Sequence, residues 1–406
     1  MYRCDVLIVG AGPGGGHCAR LLAKKGHKVL LLERYKDFGR NNFSSAGAPK
    51  EILSRFDLPE ILVGSWWNKF IVVTTDHKRV WQSDNHQGCV LDFKKMRQFL
   101  ADEVSDYGGE VWLGCRYIDH CEQNDALLVT IKNNLTNTKI EVMANVLVDA
   151  TGATRRVMCG QMKKKPLFTT ATGVEHLIEV DEKIYNTHAK ALTFLLGHQW
   201  MPGGYSWVFP MEQNILKVGA GVYNKKHELV KEVKPLNHYI ELLIQNYLQV
   251  EKYKLIDVHG ETLKYNSGLQ DIYNKGRIIA IGDAVSTVNW LGGEGIRHAM
   301  ESAEIAHVFI CQFLEGKINN FDGYQQQMKS TFLAKWNMCE KLANKKYTQD
   351  TDALINRVFS YLEGLKLEDV VDILFYYKFE KISKGLGAFV LRKLRSFFRK
   401  KIWGRQ

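Results

Sequence analysis

The sequence predicts an α/β fold: a Rossmann-like nucleotide-binding domain, interrupted by an inserted β-rich domain and followed by a helical C-terminal region. Three observations predict it. An apolar run, Val6–Val9, enters a glycine-rich turn, a helical stretch and a second apolar run. Two more apolar runs, 146–149 and 277–281, end in small-residue turns far along the chain. The stretch between them is rich in β-branched and aromatic residues. The expected division is 1–65, 90–164 and 270–315 for the nucleotide-binding domain, 66–89 and 165–269 for the β-rich domain, and 316–406 for the helical region.

Composition narrows the class. The 406 residues are 45% hydrophobic and 24% charged, which is ordinary for a globular chain and excludes whole-chain disorder. No apolar run reaches the length of a transmembrane helix. The opening run Val6–Val9 is too short for a secretory core, so a cytoplasmic location is expected. The eight cysteines are scattered and no Cys/His set has zinc spacing, so thiols are expected to be reduced and no metal is expected.

The N-terminal element carries the first chemical signal. Gly10-Ala11-Gly12-Pro13-Gly14-Gly15 places Gly10, Gly12 and Gly15 in a G-x-G-x-x-G pattern directly after the strand. The first glycine permits the turn, the second lets a pyrophosphate approach the backbone, and the third lets the helix pack on the strand. The helix is read from His17 to Lys25 with Gly26 as its stop, and the second strand, Lys28–Leu32, ends at Glu33. An acid at that position accepts hydrogen bonds from a ribose hydroxyl.

Two later segments complete the pattern. Val146–Asp149 runs into Ala150-Thr151-Gly152, and Arg277–Ile281 into Gly282-Asp283, followed by Gly292-Gly293-Glu294-Gly295-Ile296 and a helix with Ala299, Met300, Ala303 and Ala306 at packing spacing. These segments, with the N-terminal motif, resemble the FAD-binding fold of para-hydroxybenzoate hydroxylase and its relatives. The resemblance implies FAD held by Gly10, Gly12, Gly14, Gly15 and Glu33, by Gly282 and Asp283 at the ribityl chain, and by Gly293, Gly295 and Ile296 at the flavin. A helix N-terminus there would stabilise the negative charge of reduced flavin. Where relatives carry an arginine directed to the cofactor this chain has Phe93-Lys94, with Lys94 or Arg97 as the substitute. A second dinucleotide motif is absent, so NAD(P)H is expected as a transient donor, or another electron donor in its place.

The middle segment is more specific. Pro202-Gly203-Gly204-Tyr205-Ser206-Trp207-Val208-Phe209-Pro210, followed by Val218-Gly219-Ala220-Gly221, resembles the geranylgeranyl reductase family. The resemblance implies reduction of isoprenoid double bonds, with Tyr205, Trp207, Phe209 and Pro210 lining the substrate cavity. Taken alone, the same aromatics read more readily as sheet core than as a binding surface. Two departures from the family stand out: Trp290 replaces a loop proline beside the flavin and joins the substrate-binding set, and Phe43–Ala48 lacks the family's cysteine. Tyr205 and His298 are the candidate proton donors. Two other readings stay open: an oxygen-using monooxygenase or halogenase, whose Gly-Trp-x-Trp-x-Ile-Pro signature is met only with Tyr205 in the first tryptophan's place, and a non-catalytic isoprenoid-binding protein.

The net charge of +11 is concentrated at the C-terminus. Residues 378–406 hold ten Lys and Arg against one Glu. Leu391, Leu394, Phe398 and Ile402 recur at helical spacing among the basic residues, a pattern suited to peripheral attachment to an anionic membrane. No nucleic-acid-binding motif accompanies the charge. Oligomeric state is not legible.

Overall fold

The computed structural model describes residues 1–40, 42, 44–163 and 166–383. It divides into two compact units. The first comprises residues 1–46, 92–171 and 262–343; the second comprises 47–91, 172–261 and 344–406.

The first unit is built on an eight-stranded sheet. Strand Tyr2–Val9 lies between Thr138–Asp149 and Val29–Leu32, parallel to both, with Val6 opposite Val146 and Val29. Glu110–Trp112 extends the sheet on one side and Ile278–Ala280 on the other, again in parallel. A hairpin, Cys115–Gln123 and Ala126–Asn133, adds antiparallel strands to Thr138–Asp149. Val6, Leu7 and Ile8 are wholly buried, as an apolar run without alternation requires when both sheet faces are covered.

Helix Pro13–Lys24 packs against Phe93–Asp106 and Ile296–Leu314. Phe93–Asp106 is started by Asp92, whose carboxylate accepts the Lys95 N–H at 3.0 Å, and it buries Met96, Leu100 and Val104 along one face. Ile296–Leu314 buries the predicted Ala299, Met300, Ala303 and Ala306. The first helix starts four residues before the expected His17. Proline costs nothing in the first turn, and Gly14, Gly15 and Gly16 are tolerated because neighbouring groups crowd against them.

The second unit is built on a seven-stranded sheet in the order Lys254–Tyr265, Thr169–Glu179, Ile215–Tyr223, Gly204–Pro210, Ala191–Leu195, Lys69–Val73, Lys78–Gln82. Consecutive side chains point to opposite faces. Val208 joins Ile71, Leu195, Val218 and Ala220 under the helix that begins at Leu236. Trp207 and Phe209 join Phe70, Trp81 and Leu192 under helices Asp352–Leu362 and Leu367–Leu374.

The division differs from the expected one at every seam; residues 165–171 and 262–269 fall in the first unit and 90–91 in the second. Residues 47–65 fall in the second unit because Gly47–Pro49 and Val63–Trp67 both pair with Gly88–Leu91 in a small sheet. The helical region is divided: the long helix Asp322–Gln349 buries Tyr324, Phe332 and Trp336 in the first unit, whereas the helices after it belong to the second. The basic amphipathic segment 389–403 lies outside the described residues.

Candidate active site

The turn after the first strand is shaped by exclusion. Gly10 has φ +107°, and a Cβ there would lie 2.4 Å from the Ala150 carbonyl oxygen. A Cβ on Gly15 would lie 1.9 Å from the Gly10 carbonyl oxygen, and one on Gly14 would press on the Ala299 carbonyl at 3.2 Å. At Gly12 nothing lies within 4 Å of the same position. The turn is therefore tight wherever protein meets it and open at the one glycine over the helix N-terminus. That end carries no side-chain cap and no acid in its first turn, so its N–H groups are available to an anion.

Glu33 is buried at the end of Val29–Leu32. Its Oε2 accepts from the Ala11 N–H at 3.3 Å and from Arg97 at 2.9 Å, and its Oε1 from the Tyr35 N–H at 3.1 Å. Arg97 also donates to the Ala11 and Arg40 carbonyls and lies over the Phe38 and Phe93 rings. Burial pulls its pKa down and Glu33 opposes this. Of the two cations considered for this place, Lys94 is exposed and Arg97 is buried on the turn.

The other strand ends deliver the remaining groups. Asp149 is fully buried and accepts from the N–H groups of Thr151, Val157 and Met158 and from the Thr151 hydroxyl, fixing the Ala-Thr-Gly turn. Gly282 adopts φ +63° and donates to the Ser302 hydroxyl; Asp283 accepts from Thr287. Burial raises the Asp283 pKa, with Arg155 opposing. In the following loop, Asn289 Oδ1 accepts from the Leu291 and Gly292 N–H groups, each at 2.9 Å. Gly293 has φ +71°, and Gly295 stands at the uncapped start of Ile296–Leu314. Trp290 is buried and stacks on Tyr265 at 5.1 Å.

His298 is buried among charges. Its Nε2 lies 3.4 Å from Glu294 and its Nδ1 3.6 Å from Glu301, and its ring meets the Trp336 ring edge-on at 4.7 Å. Burial would raise the Glu294 pKa, but His298 and the bidentate Arg297 outweigh it and hold the carboxyl down at about 2.

All the residues named from the sequence for the cofactor, with Trp290 and His298, fall in the first unit; Tyr205, Trp207, Phe209 and Pro210 fall in the second. There the rings form a connected series. Phe194 lies 5.7 Å from Tyr205 and 5.2 Å from Phe209, and Tyr205 lies 5.8 Å from Trp207. Trp207, Phe209 and Pro210 are buried, whereas Tyr205 and Phe194 are half-buried. Burial pushes the Tyr205 hydroxyl up to about 12.

A family model for FAD-dependent oxidoreductases matches residues 5–160, and one for the geranylgeranyl reductase catalytic domain matches residues 174–262. The chain is an FAD-dependent oxidoreductase similar to the geranylgeranyl reductases. Among this flavoenzyme's relatives, the digeranylgeranylglycerophospholipid reductase of Haloferax volcanii is 29% identical over 322 residues, covering 74% of each chain. That of Methanocaldococcus jannaschii is 24% identical over 382 residues, covering 90% of this chain and 93% of its own. A geranylgeranyl bacteriochlorophyll reductase-like protein from Thermoplasma acidophilum shares the fold with a TM-score of 0.78 at 22% identity, over 96% of this chain and 100% of that one. A flavin-dependent brominase shares it with a TM-score of 0.70 at 16% identity, over 98% of this chain and 100% of that one.

The residues of the first unit fit FAD. The opening over Gly12, the buried Glu33 carboxylate at the strand end, Asp283 and the uncapped helix start at Gly295 offer N–H donors and carboxylate acceptors that could hold FAD.

Sequence reasoning passed over Arg155. It is buried with φ +47° and donates to Asp271 at 3.1 Å, to the Ser286 hydroxyl at 2.8 Å and to the Lys264 carbonyl at 3.2 Å. It ties the Ala-Thr-Gly turn to the Gly-Asp turn. The available signal was two arginines directly after an apolar strand and its turn. Glu175 and Lys217 were also missed; Lys217 is a charge inside an otherwise apolar strand, and Glu175 sits among the threonines and His176 of Thr169–Glu179.

Proposed function

We propose that this flavoenzyme saturates double bonds in the geranylgeranyl chains of a glycerophospholipid. The observation that carries the reading is the aromatic face around Tyr205, Trp207 and Phe209, lying within the segment that matches the geranylgeranyl reductase catalytic domain. The lipid is argued from the relatives, which reduce digeranylgeranylglycerophospholipid and align over most of this chain.

Reduced FAD supplies a hydride to one alkene carbon, and the other carbon takes a proton. The glycine turn and the helix N-termini at Gly12 and Gly295 bind the cofactor's anionic groups. Glu33, held by Arg97, accepts from a ribose hydroxyl, and Asp283 accepts from the ribityl chain. Half-buried Tyr205 and Phe194 give an isoprenoid an apolar surface that excludes water. Tyr205 is the candidate proton donor on this face; His298, the other candidate, has its Nε2 3.4 Å from Glu294 and its Nδ1 3.6 Å from Glu301. NAD(P)H as a transient visitor, or another electron donor, would supply the reducing equivalents. The basic C-terminal segment brings the enzyme to the membrane that holds its substrate.

The test is anaerobic incubation of the pre-reduced enzyme with a digeranylgeranyl glycerophospholipid, followed by mass spectrometry. The expected product is heavier by pairs of hydrogens. Flavin that stays reduced beside unaltered lipid overturns the reading, and turnover only when oxygen is admitted favours an oxygen-using enzyme on the same fold.

A further inference from the structure

The aromatic face contains one polar attachment that the proposed reaction leaves unused. Trp207 is opposite Gly219 of the neighbouring strand. A Cβ on Gly219 would lie 2.2 Å from the Trp207 ring, and one on Gly221 would lie 3.5 Å from it. The indole therefore lies flat across Ile215–Tyr223, on a floor from which two side chains are missing. It reaches the next strand, Thr169–Glu179, where its Nε1–H donates to Glu175 Oε2 at 2.8 Å.

Glu175 is fully buried. Burial pushes its carboxyl pKa up and the neighbouring buried Lys217 pulls it back. Glu175 Oε1 has no hydrogen-bond partner among the described residues. A buried charge pair of this kind contributes little net stability compared with apolar residues of the same volume. It does impose direction, because a carboxylate accepting an indole N–H sets both the distance and the angle of the ring. The rings of Tyr205, Phe194 and Phe209 follow from Trp207 in series, so the orientation set at Glu175 passes into the whole face.

We propose that Glu175 is a positioning residue for isoprenoid binding: it holds Trp207 across the Gly219–Gly221 floor and so fixes the aromatic face against which the chain lies. The proposal rests on the isoprenoid reading for its consequence, but its structural content stands apart from turnover. What matters is the reach of the carboxyl oxygen rather than its charge. Glu175→Asp keeps the charge and withdraws the oxygen by one methylene, whereas Glu175→Gln keeps the reach and removes the charge.

The experiment compares these two variants with Trp207→Phe in the FAD-loaded, full-length protein. In tryptophan-¹⁵N-labelled protein, the indole resonance lost in Trp207→Phe identifies Trp207. In Glu175→Asp that resonance is expected to move and its proton to exchange faster with water; in Glu175→Gln it stays hydrogen-bonded. With the lipid substrate, Glu175→Asp raises KM about tenfold with kcat nearly unchanged, and Glu175→Gln stays within about threefold. Glu175→Asp combined with Trp207→Phe is no worse than Trp207→Phe alone. An unmoved Trp207 resonance in Glu175→Asp, or a larger KM effect from Gln than from Asp, overturns the proposal. If the unaltered enzyme does not reduce the lipid, the substrate reading fails instead, and the resonance alone decides the role of Glu175.

Discussion

Gly15 has no room for a methyl group. Its missing Cβ would overlap the Gly10 carbonyl oxygen and press on Ala150, both backbone-fixed neighbours at a strand end. Gly15→Ala is expected to cost about 1–3 kcal/mol by overpacking. It should also release FAD, read as free flavin after gel filtration and a lower unfolding midpoint. At this scale the sequence was most legible. A G-x-G-x-x-G turn is a backbone requirement, and backbone requirements select single residue types. Glu33 was legible for the same reason, being fixed by strand length. Arg97 was only half legible, because a helix pattern gives the buried face but not which cation on it reaches a carboxylate two elements away. Glu175 and Arg155 were not legible. Their partners, Trp207, Asp271 and Ser286, are distant in sequence, and no local spacing encodes them.

The start of helix Ile296–Leu314 is charged: Glu294 lies just before it and Arg297 in its first turn. Glu294 is held at about 2, well below its usual 4.5, by His298 and Arg297. A carboxyl depressed on folding adds stability that is complete above its unfolded pKa and is lost as pH falls from about 4.5 toward 2. The contribution at neutral pH is on the order of 3 kcal/mol. Urea unfolding of the wild type and Glu294→Gln should differ by the largest amount at neutral pH, and the gap should close as the pH falls below about 4.5. A gap that persists at pH 3 would locate the effect in packing instead. The helix itself was readable from its small-residue spacing. The loop before it was not, since its form depends on Asn289 accepting from two following N–H groups, and asparagine in a loop signals no particular geometry.

At the scale of the whole molecule the class of fold was legible, and the division into units less so. Apolar alternation located the strands but not which sheet each would join; that was decided by partners such as Gly88–Leu91, which recruits two segments expected elsewhere. Charge is distributed just as unevenly. A body near neutrality carries ten Lys and Arg in its last 29 residues. Deleting residues 384–406 should abolish co-sedimentation with vesicles containing anionic lipid while leaving flavin content unchanged; undiminished vesicle binding would remove the membrane role from this segment. Among the described residues no helix is long and apolar enough to cross a membrane.

The way Arg155 is held bears on the order of assembly during synthesis. Three of its partners come from residues 264, 271 and 286, and the strand before it pairs with both Tyr2–Val9 and Ile278–Ala280. A ribosome would release the glycine turn and Glu33 almost at once, but the Gly-Asp turn only after the whole β-rich insertion had emerged. Contacts of such long sequence separation form late. The turns at the strand ends thus leave the ribosome far apart in time, and this sheet is completed only once Ile278–Ala280 can pair with Thr138–Asp149.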